Sequence, residues 1–226
     1  MLLIRELGLL ADAVYTINGT AGGAVLISQR IATGSWDGFQ ASVFLLRGIK
    51  VVAFRGTSVG GDAVSDLALG TGMNSAYFEQ GEQIVAGAGG NVSILCGHSL
   101  GGAIAQVVAN RTGLPMVSFN APGVAAIASR NMGSASVLAT GIRITGMLAS
   151  AMVQPGQAYR DVRATFRPVR GLNVCLENDA VSKIGIHYGA IERIPGTSSN
   201  PLTEHRMTTV NAVLASHPLG AREAVF

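Results

Sequence analysis

Gly97-His98-Ser99-Leu100-Gly101-Gly102 is the stretch that decides the fold, because it joins an apolar run at Val92–Cys96 to small and apolar residues at Ala103–Asn110. A serine between glycines at such a junction indicates a sharp turn from a strand into a helix, which pushes the hydroxyl outward. The helix start also offers backbone N–H groups to a developing oxyanion. A chain with 30 glycines can contain Gly-x-Ser-x-Gly by chance, but the flanking strand and helix favour a nucleophilic Ser99.

The segments around this turn predict a parallel sheet. An apolar run at Pro115–Phe119 follows the helix and completes a βαβ unit, whose sheet is covered on both faces. Gln40–Leu46 and Ile49–Phe54 are extended runs separated by Arg47-Gly48, which predicts a β-hairpin. The other expected elements are helices at Leu3–Tyr15, Ser75–Ala88, Ala125–Val153 and Glu204–Ser216, and strands at Leu172–Leu176 and His187–Ile194.

The composition favours one domain over residues 1–226 and argues against nucleic acid as a partner. The chain contains 48% hydrophobic and only 13% charged residues, without a charge run or a Pro/Ser-rich linker. Its net charge of +3 and its 5% aromatic content do not resemble those of a nucleic-acid-binding protein. The apolar surplus fits either a deep core or a surface that meets lipid or a protein partner.

The sequence is expected to carry neither a signal peptide nor a membrane-spanning helix. Charged Arg5 and Glu6 stand where a signal peptide needs its apolar centre, which predicts a cytoplasmic protein or export by a non-classical route. The longest apolar candidate, Ser134–Val153, carries Arg143 and is too polar for a spanning helix. Cys96 and Cys175 end apolar runs and are expected to be buried, unreactive thiols.

Five motifs, in this order along the chain, resemble the class 3 lipase family: Phe54-Arg55-Gly56-Thr57, Asp66-Leu67, the stretch from Gly97 to Ala103, Asn178-Asp179, and His205. The resemblance implies an α/β-hydrolase fold, with a mostly parallel central sheet, helices on both faces and a lid after the first oxyanion residue. It also implies hydrolysis of acylglycerols or phospholipid acyl esters by a Ser-Asp-His triad, without a metal or another cofactor.

The resemblance assigns a role to each matching residue. Ser99 falls on the nucleophile, and the backbone N–H of Leu100 would supply one oxyanion donor. Thr57 falls on the position of the other donor. Asp179 is expected to orient the base, although an aspartate after Asn178 also suits an ordinary capped turn.

His205 resembles the family's late histidine and is the expected base, with His187 as the alternative. His98 is expected to point away from the Ser99 hydroxyl and to be structural. One departure follows Pro115–Phe119, where the family usually has Gly-x-Pro and this chain has Asn120-Ala121-Pro122.

Two segments suggest contact with a lipid surface. Residues 58–73 are rich in glycine, carry Val64, Leu67 and Leu69, and are interpreted as a lid or as an ordinary surface loop. The apolar segment Ser134–Val153 is followed by arginines 160, 163, 167 and 170, which fits either a membrane-facing insertion or a buried helix followed by a solvated face.

The sequence therefore predicts a serine hydrolase that cleaves lipid acyl esters, as a triacylglycerol lipase or a phospholipase A, at a membrane or micelle surface. Two alternatives stay open: a soluble carboxylesterase without interfacial activation, and a non-catalytic α/β-hydrolase-like binding protein. If the chain is a bacterial effector, an inhibitor or immunity protein is an expected partner.

Overall fold

A computed structural model describes residues 1–31, 39–57, 75–124 and 168–226, and these residues form one sheet of seven strands in chain order. The first three strands pair antiparallel, and every pairing from the third strand to the seventh is parallel. The strands are β1 (Val25–Arg30), β2 (Ala41–Leu46), β3 (Ile49–Phe54), β4 (Val92–His98), β5 (Met116–Phe119), β6 (Gly171–Leu176) and β7 (Ala190–Ile194).

Helices cover both faces of this sheet. They are α1 (Ile4–Ala13), α2 (Ser75–Gly87), α3 (Leu100–Thr112), α4 (Pro201–His205), α5 (Met207–Ser216) and α6 (Pro218–Ala221), and a 3-10 turn spans Val181–Lys183. Successive side chains of β3 point to opposite faces of the sheet and so contribute to the two layers of the core in turn. Val51 and Ala53 pack in one cluster with residues of α1 and α5, whereas Val52 and Phe54 pack in the other with residues of α2 and α3.

This arrangement confirms the predicted α/β-hydrolase fold, with its mostly parallel sheet and its hairpin of β2 and β3. The edge strand β1 was not predicted, because it alternates weakly in burial and contains an irregularity between Leu26 and Ser28. The predicted strand His187–Ile194 begins only at Ala190, after Gly189 adopts a φ of +83°. The expected helix Ala125–Val153 lies outside the described residues.

The glycines of the turn between β4 and α3 are required by close backbone approach. A Cβ at Gly97 would overlap the backbone of Gly101, and a Cβ at Gly101 would overlap the carbonyl oxygen of Phe54 in β3. A Cβ at Gly102 would lie 2.5 Å from that of Ala121. The turn can therefore sit against β3 and the segment after β5 only without side chains at these positions.

Replacing Gly101 with alanine is expected to lower the free energy of unfolding by about 3 kcal/mol, the upper part of the usual range for overpacking. The reason is that two backbone segments, rather than a flexible side chain, would have to separate. Urea denaturation measures the difference. Gly87→Ala at the end of α2 is the matched control, because a Cβ there meets nothing within 4 Å; equal stability of the two variants would contradict the prediction.

Candidate active site

Ser99 lies at the tip of the turn, between β4 and α3, in a backbone conformation that non-glycine residues seldom adopt. Its φ is 55° and its ψ is −127°, and such a conformation persists only where the surrounding structure enforces it. The Ser99 N–H donates to the Phe119 carbonyl at 3.0 Å, and the Ala103 N–H donates to the Ser99 carbonyl at 3.1 Å. The serine is thereby fixed to β5 on one side and to α3 on the other.

Three side chains meet in a continuous chain of hydrogen bonds at this turn. Ser99 Oγ lies 2.9 Å from His205 Nε2, and His205 Nδ1 lies 2.7 Å from Asp179 Oδ1. A carboxylate only accepts, so a neutral His205 carries its proton on Nδ1 and presents the lone pair of Nε2 to the serine hydroxyl. The geometry lets the imidazole remove the proton of Ser99 while the carboxylate stabilises the resulting imidazolium.

Asp179 is fully buried and is held in place by more than the imidazole. Its Oδ2 accepts a hydrogen bond from the Ser182 N–H at 2.7 Å, and its Oδ1 accepts from the Val181 N–H at 3.4 Å. Burial alone would raise the pKa of Asp179, but the hydrogen bond and charge of His205 and the bonds from Ser182 outweigh it, so the pKa lies below the usual 3.8. Asp179 therefore binds the first N–H groups of the 3-10 turn at Val181–Lys183 and also binds the His205 imidazole.

His205 ends a short helix of its own, which corrects the predicted single helix Glu204–Ser216. The helix is interrupted at Arg206, whose φ of −66° and ψ of 138° are those of an extended residue. Helix α4 begins at Pro201, and the Asn200 side chain caps it. The break leaves the His205 carbonyl free of a helical partner, and His98 Nε2 binds it at 2.6 Å. The imidazole position is therefore set by side chains and not by a continuous helix.

Glu204 and Asn120 anchor this short helix, and the sequence did not indicate either role. Glu204 is fully buried, and its Oε1 accepts from the N–H groups of Thr197 and Ser198 at 2.9 and 2.6 Å. Asn120 Nδ2 donates to the Glu204 carbonyl at 2.7 Å, while Asn120 Oδ1 accepts from the Leu176 N–H at 2.8 Å. Asn120 and Glu204 lie 84 residues apart in the chain, so their contact leaves no local pattern in a single sequence, and the Glu204 carboxylate contacts follow no helix or strand period.

The structure also explains the departure at Asn120, where the family usually has glycine. Asn120 has a φ of +43°, a region in which asparagine is tolerated better than most side chains. The residue thus keeps a left-handed backbone of the kind that glycine adopts readily, and it adds an amide that donates to the Glu204 carbonyl in α4, next to His205.

The segment that carries Thr57 packs directly on the serine turn. A Cβ on Gly56 would lie 2.6 Å from the His98 carbonyl and 3.0 Å from Ser99 Cβ, so only glycine fits there. The Arg55 guanidinium lies 5.9 Å from the centre of the Tyr15 ring. Leu100 is the first residue of α3, so its N–H lies at the helix N-terminus beside Ser99.

The remaining histidines occupy other positions. His98 is buried between Tyr15 and the His205 carbonyl and bonds to both, consistent with the structural role predicted for it. His187 Nε2 contacts the Ser182 carbonyl at 3.0 Å. Among the contacts of the described residues, His205 reaches both Ser99 and Asp179, and His187 reaches neither.

Several expectations lie outside the described residues, including the lid at 58–73 with Val64, Leu67 and Leu69, and the segment Ser134–Val153. Across the described ranges, no group of three or more histidine, cysteine or acidic side chains is arranged to hold a metal ion. Cys96 and Cys175 are buried, free thiols. None of the helices in those ranges has the length and apolar character needed to cross a membrane.

One curated protein is similar to part of this chain. The extracellular phospholipase A1 of Serratia liquefaciens is 33% identical over 132 residues, which cover 52% of this chain and 41% of that protein. This chain thus spans less than half the length of the relative.

Two solved structures are also similar. A triacylglycerol lipase from Penicillium expansum has 18% identity and a TM-score of 0.48, with 86% of this chain and 79% of that one covered. The Lip2 lipase of Yarrowia lipolytica has 13% identity and a TM-score of 0.48, with 84% and 77% covered.

A family model described as phospholipase-like, a Tle-like phospholipase domain, matches residues 9–153, more than half of the chain. The match includes the Phe54–Thr57 turn and the whole stretch around Ser99. It confirms the resemblance to lipases and phospholipases that the sequence motifs indicated. The chain belongs to the Tle-like phospholipase domain family.

Proposed function

We propose that this protein is a serine hydrolase that cleaves acyl esters of phospholipids, as a phospholipase of the A type. The observation that carries the proposal is the chain of hydrogen bonds from Ser99 Oγ through His205 to Asp179, at 2.9 and 2.7 Å. Membership of the phospholipase domain family supports lipid esters as the substrate class, and the name of the Serratia relative supports phospholipids.

In the proposed reaction, His205 Nε2 takes the proton of Ser99 while Oγ attacks the ester carbonyl carbon. The carbonyl oxygen becomes an oxyanion, which the N–H of Leu100 and a donor at Thr57 would stabilise. The imidazolium then gives its proton to the departing lysophospholipid alcohol, leaving an acyl group on Ser99. Water attacks this acyl-enzyme with His205 as base, which releases the fatty acid and restores the serine.

We further propose that the whole chain forms one catalytic domain that works at a lipid surface. Residues 58–73 would act as its lid, with Val64, Leu67 and Leu69 facing lipid. If the protein is an exported effector, the cell that makes it is expected to protect its own membranes with an inhibitor or immunity protein.

Incubation with vesicles of phosphatidylcholine and phosphatidylethanolamine tests the proposal. Mass spectrometry is expected to find free fatty acid and lysophospholipid in equal amounts, and Ser99→Ala is expected to abolish both. The rate should rise when the substrate passes from dissolved monomers to vesicles, because a surface would favour the open form of the lid.

Other outcomes would favour the alternatives. Turnover of a short-chain soluble ester, without any action on vesicles or on triacylglycerol, would identify a carboxylesterase. A folded protein whose Ser99 fails to react with a fluorophosphonate would favour a non-catalytic binding protein. Release of diacylglycerol or phosphatidic acid would contradict acyl ester cleavage.

A further inference from the structure

Tyr15 lies just after α1, far from the serine turn in sequence, yet its hydroxyl is at the centre of a chain of hydrogen bonds that crosses the site. The Gly56 N–H donates to Tyr15 Oη at 3.1 Å, Tyr15 Oη lies 2.8 Å from His98 Nδ1, and His98 Nε2 lies 2.6 Å from the His205 carbonyl. We call this chain the Tyr15 relay. It joins the segment before Thr57 to the backbone of the proposed base.

The direction of every bond in the Tyr15 relay follows from its two ends. A carbonyl oxygen only accepts, so the bond to the His205 carbonyl requires a proton on His98 Nε2. Burial lowers the pKa of His98 to about 3, and the charge of His205 acts in the same direction, so the ring is neutral and its Nδ1 is an acceptor. The Tyr15 hydroxyl must therefore donate to His98 Nδ1 while it accepts from Gly56.

Neighbouring groups hold Tyr15 in this position. The Arg55 guanidinium lies over its ring, and the Tyr15 N–H donates to the Asp12 carbonyl at 3.0 Å. Gln40, which is buried, donates to the Val14 carbonyl at 2.7 Å and accepts from Arg55. These contacts hold the Tyr15 ring and backbone beside the segment that precedes Thr57.

At the other end, His98 is in contact with the base itself. The rings of His98 and His205 have centroids 4.9 Å apart. A shift of the His98 ring would therefore move both the carbonyl and the imidazole of His205 relative to Ser99. A small displacement of a base in this way reduces the rate of proton transfer without changing substrate binding.

We propose that Tyr15 is a positioning residue that acts through His98 to hold His205 in line with Ser99 and to hold the Gly56-Thr57 turn against it. This inference rests on the proposed function and extends it to a residue that lies outside the five sequence motifs. Tyr15 does not touch the reacting atoms, and its effect passes through the tautomer and orientation of His98.

Tyr15→Phe tests the role, because it keeps the ring and removes only the hydroxyl. We expect kcat on phospholipid vesicles to fall about tenfold with KM unchanged, less than the roughly 100-fold that a 1 Å misplacement can cost. The rate of fluorophosphonate labelling of Ser99 should fall by the same factor. Tyr188→Phe removes the hydroxyl of a tyrosine buried among residues of α3 and is the matched control, expected to leave kcat unchanged.

Substitutions of His98 separate positioning from simple space filling. The amide of His98→Gln offers one acceptor and one donor, as the neutral imidazole does, whereas His98→Leu offers neither. We expect His98→Gln to retain about tenfold more activity than His98→Leu, and Tyr15→Phe to have little further effect when added to His98→Leu. Equal activity of the two His98 variants, or Tyr15→Phe with kcat within twofold of the wild type, would overturn the proposal.

Long-range proton–nitrogen NMR of the imidazoles provides a readout that does not depend on activity. The wild type is expected to show His98 with its proton on Nε2, and the Nδ1 resonance should move when Tyr15→Phe removes its donor. A proton on Nδ1 would contradict the relay. A wild-type protein that is inert toward esters and fluorophosphonate would contradict the proposed function and the positioning role together, and the spectrum would still establish whether the relay exists.

Discussion

Ser99→Ala is expected to lower kcat for phospholipid hydrolysis by roughly 10⁶-fold, the scale seen when the nucleophile of a serine hydrolase is removed. The alanine leaves His205 Nε2 without the hydroxyl that lies 2.9 Å away, so no acyl-enzyme can form. The fall should appear in kcat, while binding to vesicles stays as in the wild type. Continuous titration of released fatty acid measures the rate.

A matched control for this substitution lies in the same strand. Ser93→Ala removes an exposed hydroxyl of β4 that contacts only the Asn91 carbonyl, at 3.4 Å, among the described residues. It should leave kcat unchanged. Loss of a nucleophile leaves far less than about one hundredth of the activity. If Ser99→Ala retained more than that, another group would have to be the nucleophile and the proposal would fail.

Asp179→Asn is expected to lower kcat by about 10⁴-fold, because an amide can donate to His205 and so favours the tautomer with the proton on Nε2. That tautomer presents an N–H to Ser99 where the reaction requires a lone pair. The reaction rate on vesicles and the imidazole spectrum of His205 measure both effects. Glu192→Gln is the control, since it likewise replaces a carboxylate with an amide, and Glu192 lies in β7 and pairs with Arg222.

Asp179→Asn is also expected to lower the free energy of unfolding, by an amount that depends on pH. The pKa of Asp179 is lowered in the folded protein, so its ionised form stabilises the fold above the usual value of 3.8 and this contribution is lost as the pH falls below it. Wild type should therefore exceed Asp179→Asn in free energy of unfolding near neutral pH, and the difference should shrink in acid. A difference that grows as the pH falls would contradict this assignment.

Sequence patterns predicted those parts of the molecule that depend on neighbours along the chain. The turn at Gly97–Gly102 follows from its glycines, because each would overlap nearby backbone or Ala121 if it carried a side chain. The β2–β3 hairpin follows from two extended runs with a short connection. Asp179 and His205 are identified only by the resemblance to a family, since nothing local requires that their side chains meet.

The contacts that place His205 could not be predicted in the same way. Asn120 and Glu204 are 84 residues apart, and Tyr15 and His98 are 83 residues apart. Buried polar contacts of this kind are chosen by the three-dimensional arrangement and not by periodicity, so one sequence carries no signal for them. The break at Arg206 was missed for the same reason: the run Glu204–Ser216 suits a helix, and the contact of His98 with the His205 carbonyl competes with it.

Ser99 and His205 belong to opposite layers of the molecule. Ser99 immediately precedes α3, which packs on one side of the sheet, whereas His205 precedes α5, which packs on the other. Their contact at 2.9 Å therefore forms only when both helical layers have docked on the strands. Reactivity of Ser99 toward a fluorophosphonate is thus a reporter of complete assembly, and during refolding it should appear last, after the recovery of helical circular dichroism.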